Sequence, residues 1–337
     1  MTIVVPTLNE ERYLERCVRS VLDDPYPCDR LELLILDGGS TDATTEIATT
    51  LATELGGVRL LENPGRLQSA AFNLALRVAD ERAECILRCD AHAIYPSGFV
   101  SRSVAALERT GAVLVGFHAV PAAEAPFQAA VAFAQSTPVG VGGSAYRLGS
   151  HSGWVDSAMH GCFSRQAVEA VGGYDEGASH NEDAELSLRL RSAGGGIWLD
   201  SGLRVSYFPR RTVAALARQY FLYGRGRVAT VIAHRERPLP RQLAPPLLLL
   251  ANLALVVLAF STMSIVPLLP IAAYLVALAA LAALAAVRRR RPAILASPLA
   301  LATMHHAWGA GFLFGLVGGA AQPARKHRRN PNFRAQD

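Results

Sequence analysis

Two long apolar stretches in the C-terminal third constrain the fold of this chain of 337 residues more than any other feature. They cover residues 245–265 and 268–287, and neither contains a charged side chain. A helix of about 20 apolar residues is long enough to cross the hydrocarbon core of a bilayer. A buried helix pair in a soluble protein is the alternative, but such helices normally carry a polar stripe. The sequence therefore predicts two transmembrane helices within a membrane region at 243–321.

Arginines on both sides of these stretches predict their orientation. They stand before the first stretch at Arg235, Arg237 and Arg241, and after the second at Arg288, Arg289, Arg290 and Arg291. Under the positive-inside rule, both ends of such a hairpin lie in the cytoplasm. The first residues, MTIVVPTLNE, begin an alternating apolar segment and lack the basic start and cleavage-like site of a signal peptide. We therefore expect a protein of a bacterial-type inner membrane whose N-terminal domain lies in the cytoplasm.

Three further segments flank the predicted hairpin. Residues 211–242 are amphipathic and rich in arginine, which suits a helix at the membrane surface. Residues 293–321 are apolar but contain His305 and His306, and a basic tail follows at 322–337. A complete third crossing would place that tail outside the cell, against the positive-inside rule. We therefore expect 293–321 to be re-entrant or interfacial.

The net charge of +5 is modest, and much of the positive charge lies beside the apolar stretches. This distribution favours anionic lipid headgroups or phosphate-bearing substrates as partners and argues against nucleic acid. The five cysteines form no CxxC pair and have no zinc-type spacing. They indicate reduced thiols in a cytosolic domain.

Short apolar runs alternate with helical patterns over residues 1–210. Runs with the length and composition of buried strands lie at 3–6, 31–37, 58–63 and 85–90. This alternation predicts an α/β domain in which helices cover both faces of a mostly parallel sheet. Ligands of such sheets bind beyond the carboxyl ends of the strands. The sequence places four polar side chains there: Asn9, Asp37, Asn63 and Asp90.

The pattern is weaker in the later part of this domain. Residues 111–150 are rich in Gly, Ala and Pro, and we expect substrate-facing loops around GVGGSAYR, residues 140–147. The segment IWLDSGLRVSYFP, residues 197–209, predicts two short strands.

A carboxylate and an imidazole follow the fourth predicted strand. Asp90 and His92 are two residues apart, so both side chains point the same way in an extended segment. An oxygen and a nitrogen ligand in this arrangement suit Mn²⁺ or Mg²⁺, with phosphate oxygens and water as further ligands. The alternative is ordinary surface polarity.

Two acidic motifs carry the remaining candidates. In DGGSTDAT, Asp37 can accept hydrogen bonds from a base or ribose while two glycines let the backbone come close. The alternative is a turn in which Ser40 or Thr41 caps the following helix. In HNEDAELSLRL, Glu182 and Asp183 begin a predicted helix, where the dipole favours carboxylates in any case. Asp183 is a candidate general base for an attacking hydroxyl.

Six motifs occur in an order and spacing that resembles the family 2 glycosyltransferases of GT-A fold. They are PTLNE, LDGGSTDAT, NPGRLQSAAFN, CDAH, GGYDE and NEDAELSLRL. Within that family, the chain is similar to succinoglycan-type exopolysaccharide enzymes over residues 1–290. The resemblance implies an inverting transfer of a sugar from a nucleotide-sugar donor.

The resemblance also implies roles for individual residues. Donor binding is assigned to Pro6, Asn9 and Glu10 at the nucleoside, Asp37 at the base, and Ser40, Arg66, Asn73 and Asp90 elsewhere in the donor pocket. Asp90 begins a D-x-D-like metal motif that His92 completes. Asp183 is the base of an E-D motif that starts with Glu182.

Two departures from the family pattern matter. His92 replaces the usual second aspartate, which leaves the metal open between Mn²⁺ and Mg²⁺. The segment QYFLYG, which starts at Gln219, lacks the Arg-Trp of the Q-x-x-R-W motif, so a processive polymerase is not expected. Nearby, Arg225 and Arg227 can bind a phosphate of the acceptor or donor, or lipid headgroups, and both interpretations stay open.

These expectations combine into one function and two alternatives. We expect metal-dependent transfer from a nucleotide sugar, with a UDP-sugar first, to a hydroxyl of a lipid-linked oligosaccharide. One alternative is transfer onto polyprenyl monophosphate, as in enzymes of the dolichyl-phosphate-mannose type. The other is a non-catalytic membrane assembly component that keeps a nucleotide-sugar fold.

Overall fold

The structure is a computed structural model that describes residues 1–149, 151–177, 180–235 and 237–318. The predicted basic tail at 322–337 and the end of the third apolar segment lie outside the described residues. The chain forms two units. Residues 1–120 and 148–207 form the sheet unit, and residues 121–147 and 208–318 belong to the helical unit.

A mixed sheet organises the sheet unit. Its strands are β1 Thr2–Thr7, β2 Glu32–Asp37, β3 Val58–Glu62, β4 Cys85–Arg88, β5 Ala93–Ile94, β6 Leu114–Pro121, β7 Gly153–Trp154, β8 Gly161–Ser164 and β9 Ile197–Tyr207. Their order is β3-β2-β1-β4-β8-β6-β9-β5, and β7 pairs with β9. Strands β1 to β4 are parallel, whereas β8 is antiparallel to β4 and β6.

Helices connect the strands and form the helical unit. In chain order they are α1 Leu14–Leu22, α2 Thr44–Glu54, α3 Gln68–Val78, α4 Phe99–Thr110, α5 Pro126–Gln135, α6 Pro138–Val141, α7 Ala145–Leu148, α8 Arg165–Ala170, α9 Glu182–Ser192, α10 Val213–His234, α11 Pro240–Thr262, α12 Leu269–Arg289 and α13 Ser297–Val317. Short 3₁₀ helices occur at Cys28–Arg30, Val266–Leu268 and Pro292–Ala296.

The four predicted strands and the α/β fold are confirmed. Continuous apolar runs form β1 and β2 because helices cover both faces of a parallel sheet. Ile3, Val4 and Val5 are fully buried, as are Leu34 and Leu36. The parallel strands bring the loops after β1, β2, β3 and β4 to one edge of the sheet.

One local prediction was wrong. Residues 197–209 were expected to hold two strands, but β9 runs unbroken for 11 residues. Its buried residues, Ile197, Leu199, Leu203 and Val205, are all an even number of positions apart, so they lie on the same face of one strand on both sides of the polar Asp-Ser-Gly segment. Within the weakly patterned residues 111–150, the apolar run LVGFHAVP forms β6 and α5 follows it. The substrate-facing role of residues 140–147 stays a prediction.

Among the described residues of the helical unit, two helices are long and apolar enough to cross a membrane. They are Pro240–Thr262 and Val266–Arg289, with mean hydropathies of 2.3 and 2.4. Apolar side chains on them are exposed, including Phe260 and Val276. Both therefore match the predicted pair of stretches in position and length.

The third apolar segment forms the continuous helix α13, which packs closely on α10. A Cβ on Gly311 would overlap the carbonyl of Phe221, and one on Gly224 would overlap that of Trp308. The two helix backbones can approach this closely only because both positions are glycine. The re-entrant or interfacial placement of this segment stays a prediction.

Candidate active site

Asp37 closes the loop after β2 on itself. Its carboxylate accepts the backbone N–H groups of Gly39 and Ser40, both at 3.1 Å, and the Ser40 hydroxyl. Gly39 has φ +81°, which favours glycine. The alternative of a helix cap at Ser40 or Thr41 is wrong, because α2 begins only at Thr44. The DGGST segment is therefore a compact loop built around one carboxylate.

Asn9 joins the loop after β1 to the loop after β2. Its backbone N–H donates to the Ser40 hydroxyl at 2.9 Å, and its Oδ1 accepts the N–H of Thr41 at 2.8 Å. Asn9 has φ +57°, a left-handed conformation that asparagine tolerates better than most residues. The predicted donor-binding residues Asn9 and Ser40 are thus in direct contact.

Arg66 brings the loop after β3 to the same place. Its Nε donates to the carbonyl oxygen of Gly38 at 3.0 Å, and its side chain is largely exposed. Its backbone has φ +57°, which costs free energy for a residue other than glycine. Such strain concentrates at functional sites. Three loops therefore converge at the carboxyl edge of the sheet, as the sequence predicted.

Two further residues of the predicted donor pocket, Pro6 and Asn73, are held within the protein. Pro6 is buried in β1 opposite Leu36. Asn73 clamps a distant segment, because its Oδ1 accepts the N–H of Tyr174 and its Nδ2 donates to the carbonyl of Tyr174, both at 2.8 Å. Their contacts with a donor stay predictions.

Arg88, the last residue of β4, is the centre of an acidic cluster. It is 1% exposed. Its Nη1 lies 2.8 Å from Asp183 Oδ1, while its Nη2 lies 3.5 Å from Asp90 Oδ1 and 3.9 Å from Glu182 Oε1. One buried guanidinium thus brings together the three carboxylates that the sequence placed in the metal and base motifs.

Two neutral side chains complete this cluster. The Tyr174 hydroxyl accepts from Arg88 Nη1 at 3.0 Å and donates to Asp183 Oδ1 at 2.7 Å. Gln68, the first residue of α3, accepts from Arg88 Nη2. Tyr174 belongs to the GGYDE motif, so that motif contributes directly to the cluster.

The three acids around Arg88 differ in the direction in which their pKa values are shifted. Burial raises the pKa of Asp183 to about 8, although Arg88 opposes the shift. Burial also raises the pKa of Glu182, again against Arg88. Burial works against ionisation of Asp90 too, but its interactions with His160, Arg88 and His92 hold its pKa at about 2. Asp90 is therefore a permanent anion, whereas Asp183 titrates near the pH at which a general base works best.

Imidazoles lie near Asp90. His92 Nδ1 is 2.9 Å from Glu10 Oε1, which connects the predicted metal motif to the loop after β1. His160 is 1% exposed, and its Nε2 lies 3.7 Å from Asp90 Oδ2. Burial lowers the pKa of His160 to about 4, so its ring is neutral at pH 7. In the described part of the chain, no three His, Cys, Asp or Glu side chains are arranged to hold a metal.

The two predicted phosphate-binding arginines belong to the helical unit. Both lie on α10, where Arg225 is exposed and Arg227 is half-buried. Their contact with a phosphate or a lipid headgroup stays a prediction.

Sequence reasoning missed Arg88, Tyr174 and His160. One local signal existed for Arg88, which is the single charge in the otherwise apolar strand CILR. A charge in a buried strand needs partners, so it marks a polar cluster. The GGYDE motif pointed to the segment of Tyr174 but not to the role of its hydroxyl, and His160 carries no local signal.

The chain is similar to known proteins. Residues 2–146 match the model for Glycosyl transferase family 2. The chain is 38% identical over 314 residues to the succinoglycan biosynthesis protein ExoA of Rhizobium meliloti. The matched region covers 92% of this chain and 93% of that protein. It is 24% identical over 237 residues to the dolichyl N-acetyl-alpha-D-glucosaminyl phosphate 3-beta-D-2,3-diacetamido-2,3-dideoxy-beta-D-glucuronosyltransferase of Methanococcus voltae, over 66% of this chain and 71% of that protein.

The fold is shared with a solved structure. The mannosyltransferase PcManGT from Pyrobaculum calidifontis, in complex with GDP-Man and Mn²⁺, superposes with a TM-score of 0.61 at 21% identity, over 95% of this chain and 87% of that one. This likeness confirms the GT-A fold. Because the similarity to ExoA extends over nearly the whole chain, it also settles the family. The protein belongs to glycosyltransferase family 2.

Proposed function

We propose that this glycosyltransferase is an inverting, metal-dependent enzyme that transfers a sugar from a nucleotide sugar to a hydroxyl of a lipid-linked saccharide. The product is an exopolysaccharide or another cell-surface glycan, as the name of the relative ExoA suggests. One observation carries the proposal: a single guanidinium, that of Arg88, contacts both Asp183 and Asp90. A base and a donor-binding acid that share one cation are close enough to act on one substrate.

Asp183 supplies the base, and Glu182 stands beside it in the E-D motif. Both hydrogen bonds that the described residues make to the Asp183 carboxylate fall on Oδ1. Oδ2 is therefore the oxygen that takes the proton of the acceptor hydroxyl. The hydroxyl oxygen forms a bond to the anomeric carbon while the bond to the nucleotide diphosphate breaks. The diphosphate leaves with the electron pair, and one displacement inverts the anomeric configuration.

The side chains around Asp90 fit a divalent metal. Asp90 Oδ1 is buried without a hydrogen bond from the described residues, as are both ring nitrogens of His160. Buried polar atoms of this kind are normally satisfied by an ion or an ordered water. Asp90 and His92 would hold Mn²⁺ or Mg²⁺, and with so few protein ligands the ion would keep phosphate oxygens and water. When bound, it would offset the negative charge of the diphosphate.

The converging loops after β1, β2 and β3 support a nucleotide-sugar site. Pro6, Asn9 and Glu10 line the nucleoside, Asp37 faces the base, and the strained Arg66 lies beside the two glycines of the Asp37 loop. Ser40 and Asn73 complete the pocket by holding its loops. We take a UDP-sugar as the first donor to test, and GDP-Man as the second because PcManGT binds it.

A lipid-linked acceptor explains the apolar helices. Two helices of membrane-spanning length would hold the protein at the inner membrane, with the sheet unit in the cytoplasm. Arg225 and Arg227 on α10 would bind the phosphate of the lipid carrier, since guanidinium groups match phosphate oxygens. The Methanococcus voltae relative is named for a dolichyl phosphate-linked sugar, which agrees with an acceptor of this class.

The full chain, purified in detergent, allows a direct test. UDP-sugars and GDP-Man are screened with and without Mn²⁺ or Mg²⁺ for a rise in the unfolding midpoint, since a bound donor stabilises the folded state. The stabilising donor is then offered to a polyprenyl diphosphate-linked saccharide and to polyprenyl monophosphate, and the product anomer is determined by NMR. We expect metal-dependent transfer to the saccharide with inversion.

Other outcomes would replace this proposal. Transfer to the monophosphate alone would identify a polyprenyl-phosphate glycosyltransferase of the dolichyl-phosphate-mannose type. A donor that binds but is neither transferred nor hydrolysed would indicate a non-catalytic assembly component. Retention of the anomeric configuration would exclude single displacement with Asp183 as the base.

A further inference from the structure

Stability alone does not explain Arg88. A buried ion pair can often be replaced by apolar side chains of similar volume without loss of stability. In addition, the buried Arg88 Nε donates no hydrogen bond to the described residues, which costs free energy. The hydrogen bonds of Arg88 leave from its two terminal nitrogens, toward Asp183, Tyr174 and Gln68. The side chain of Arg88 is thus oriented so that its two terminal nitrogens bind the polar groups around them.

The contacts on Asp183 select one of its two oxygens. Arg88 Nη1 and the Tyr174 hydroxyl both donate to Oδ1, at 2.8 and 2.7 Å. Nη1 also donates to the Tyr174 hydroxyl at 3.0 Å, which closes a ring of three hydrogen bonds. A carboxylate held at one oxygen by two donors cannot rotate freely. Its second oxygen then has a fixed direction.

Tyr174 is itself held in place. Asn73 bonds to both its backbone N–H and its carbonyl, and the ring packs edge-on against Phe72 with centroids 5.0 Å apart. The preceding Gly173 has φ +72°, and a Cβ there would overlap Asn73 Oδ1. The backbone of the GGYDE segment is therefore fixed where its tyrosine can reach Asp183.

We propose that Arg88 and Tyr174 are positioning residues of the transfer reaction: they hold Asp183 by Oδ1, which leaves Oδ2 to take the proton of the acceptor. The inference rests on the proposed function, in which Asp183 is the base. The same guanidinium lies 3.5 Å from Asp90 Oδ1, so the base and the donor-binding acid are both next to Arg88. Asn73 acts indirectly, because it holds the backbone of Tyr174 in place.

This geometry requires arginine at position 88. Its planar fork donates from two terminal nitrogens in fixed directions, whereas lysine is a point charge on a flexible stem. Arg88→Lys keeps the positive charge but cannot donate to Asp183, Tyr174 and Gln68 from fixed directions. If Arg88 only compensates charge, the Arg88→Lys protein should keep its activity. If Arg88 positions Asp183, the Arg88→Lys protein should lose activity.

Tyr174→Phe is the decisive variant, because it removes only the hydroxyl and keeps the ring in its packing. We expect kcat to fall about tenfold, the loss expected for one hydrogen bond that orients a base. The Kd for the donor, measured by calorimetry with the nucleotide sugar that stabilises the full chain, should stay unchanged. Tyr26→Phe, at a partly buried tyrosine in the same unit, is the matched control and should change neither quantity.

A double-mutant cycle separates positioning from a general structural effect. In the Asp183→Asn background, Tyr174→Phe should cause no further loss of the residual rate, since the base on which it acts is already removed. A full additional tenfold loss in that background, or a wild-type kcat for Tyr174→Phe alone, would overturn the inference.

Arg88→Lys is compared with Arg189→Lys, a largely buried arginine on α9 that pairs with Glu185. The positioning role predicts a large loss of kcat for the first and wild-type kcat for the second. Wild-type kcat for Arg88→Lys would overturn it. The two proposals fail separately: full activity of Asp183→Asn removes the base assignment, whereas an inactive Asp183→Asn beside a fully active Tyr174→Phe removes only the positioning role.

Discussion

Nη1 of Arg88 lies 2.8 Å from Oδ1 of Asp183, although 95 positions separate the two residues in the sequence. The contact joins the end of β4 to the start of α9. The same guanidinium lies beside both Asp183, the candidate base, and Asp90, the acid that follows β4. The predictions below depend on this proximity.

The first prediction concerns pH. Burial raises the pKa of Asp183 to about 8, and the carboxylate is a base only when it is ionised, above that pH. Transfer should therefore slow as the pH falls below 8, approaching tenfold per pH unit. Asp90, with a pKa of about 2, stays ionised throughout, so donor binding should be constant. Measuring kcat and donor Kd from about pH 6 to about pH 9 tests both expectations, and a flat kcat would contradict the first.

A second prediction concerns Asn73. Asn73→Ala leaves the N–H and carbonyl of Tyr174 without their partners, which should lower the free energy of unfolding by about 1–3 kcal/mol. It should also lower kcat, because Tyr174 loses its fixed position. Denaturant unfolding and steady-state kinetics measure the two effects. A wild-type kcat in a clearly destabilised Asn73→Ala protein would show that Asn73 does not affect the positioning of Asp183.

Arg66 allows strain and function to be distinguished. Glycine suits its φ of +57°, so Arg66→Gly should be about 1 kcal/mol more stable than Arg66→Ala. If arginine is kept there for the donor, both variants should bind the nucleotide sugar more weakly than the wild type. Thermal unfolding and donor calorimetry provide the comparison. Wild-type donor affinity in Arg66→Gly would remove Arg66 from the donor site.

A fourth prediction concerns Arg225 and Arg227. If they bind the carrier phosphate, Arg225→Gln with Arg227→Gln should raise KM for the lipid-linked acceptor about tenfold or more. Hydrolysis of the donor without acceptor should be unaffected, which serves as the internal control. An unchanged acceptor KM in mixed micelles would leave the two arginines as headgroup contacts at most.

Much of the fold could be predicted because its determinants are local. The runs that form β1 to β4 are contiguous, and Glu182 and Asp183 mark the start of α9 by their own preference for helix N-termini. The convergence of the loops that hold Asn9 and Asp37 followed from one topological rule about parallel sheets, whereas Arg66 was assigned to the donor pocket by the family resemblance. Apart from that of Arg66, each of these inferences needed only neighbouring residues or a general property of the fold.

The centre of the candidate site could not be predicted in this way. Arg88 meets Asp183 and Tyr174 only after α3 and α9 pack on the sheet, and no spacing in the sequence encodes that meeting. Asn73 illustrates the same limit, since its motif suggested the donor while its observed bonds go to the backbone of Tyr174. Side-chain partners of this kind are set by tertiary packing.

The most direct measurement compares Asp183→Asn with the wild type in transfer and in donor binding. The amide keeps the shape of the side chain but cannot take the acceptor's proton. We expect kcat to fall by about a hundredfold or more, the range that a general base contributes, with an unchanged donor Kd. Turnover at the wild-type rate by a correctly folded Asp183→Asn protein would contradict the account.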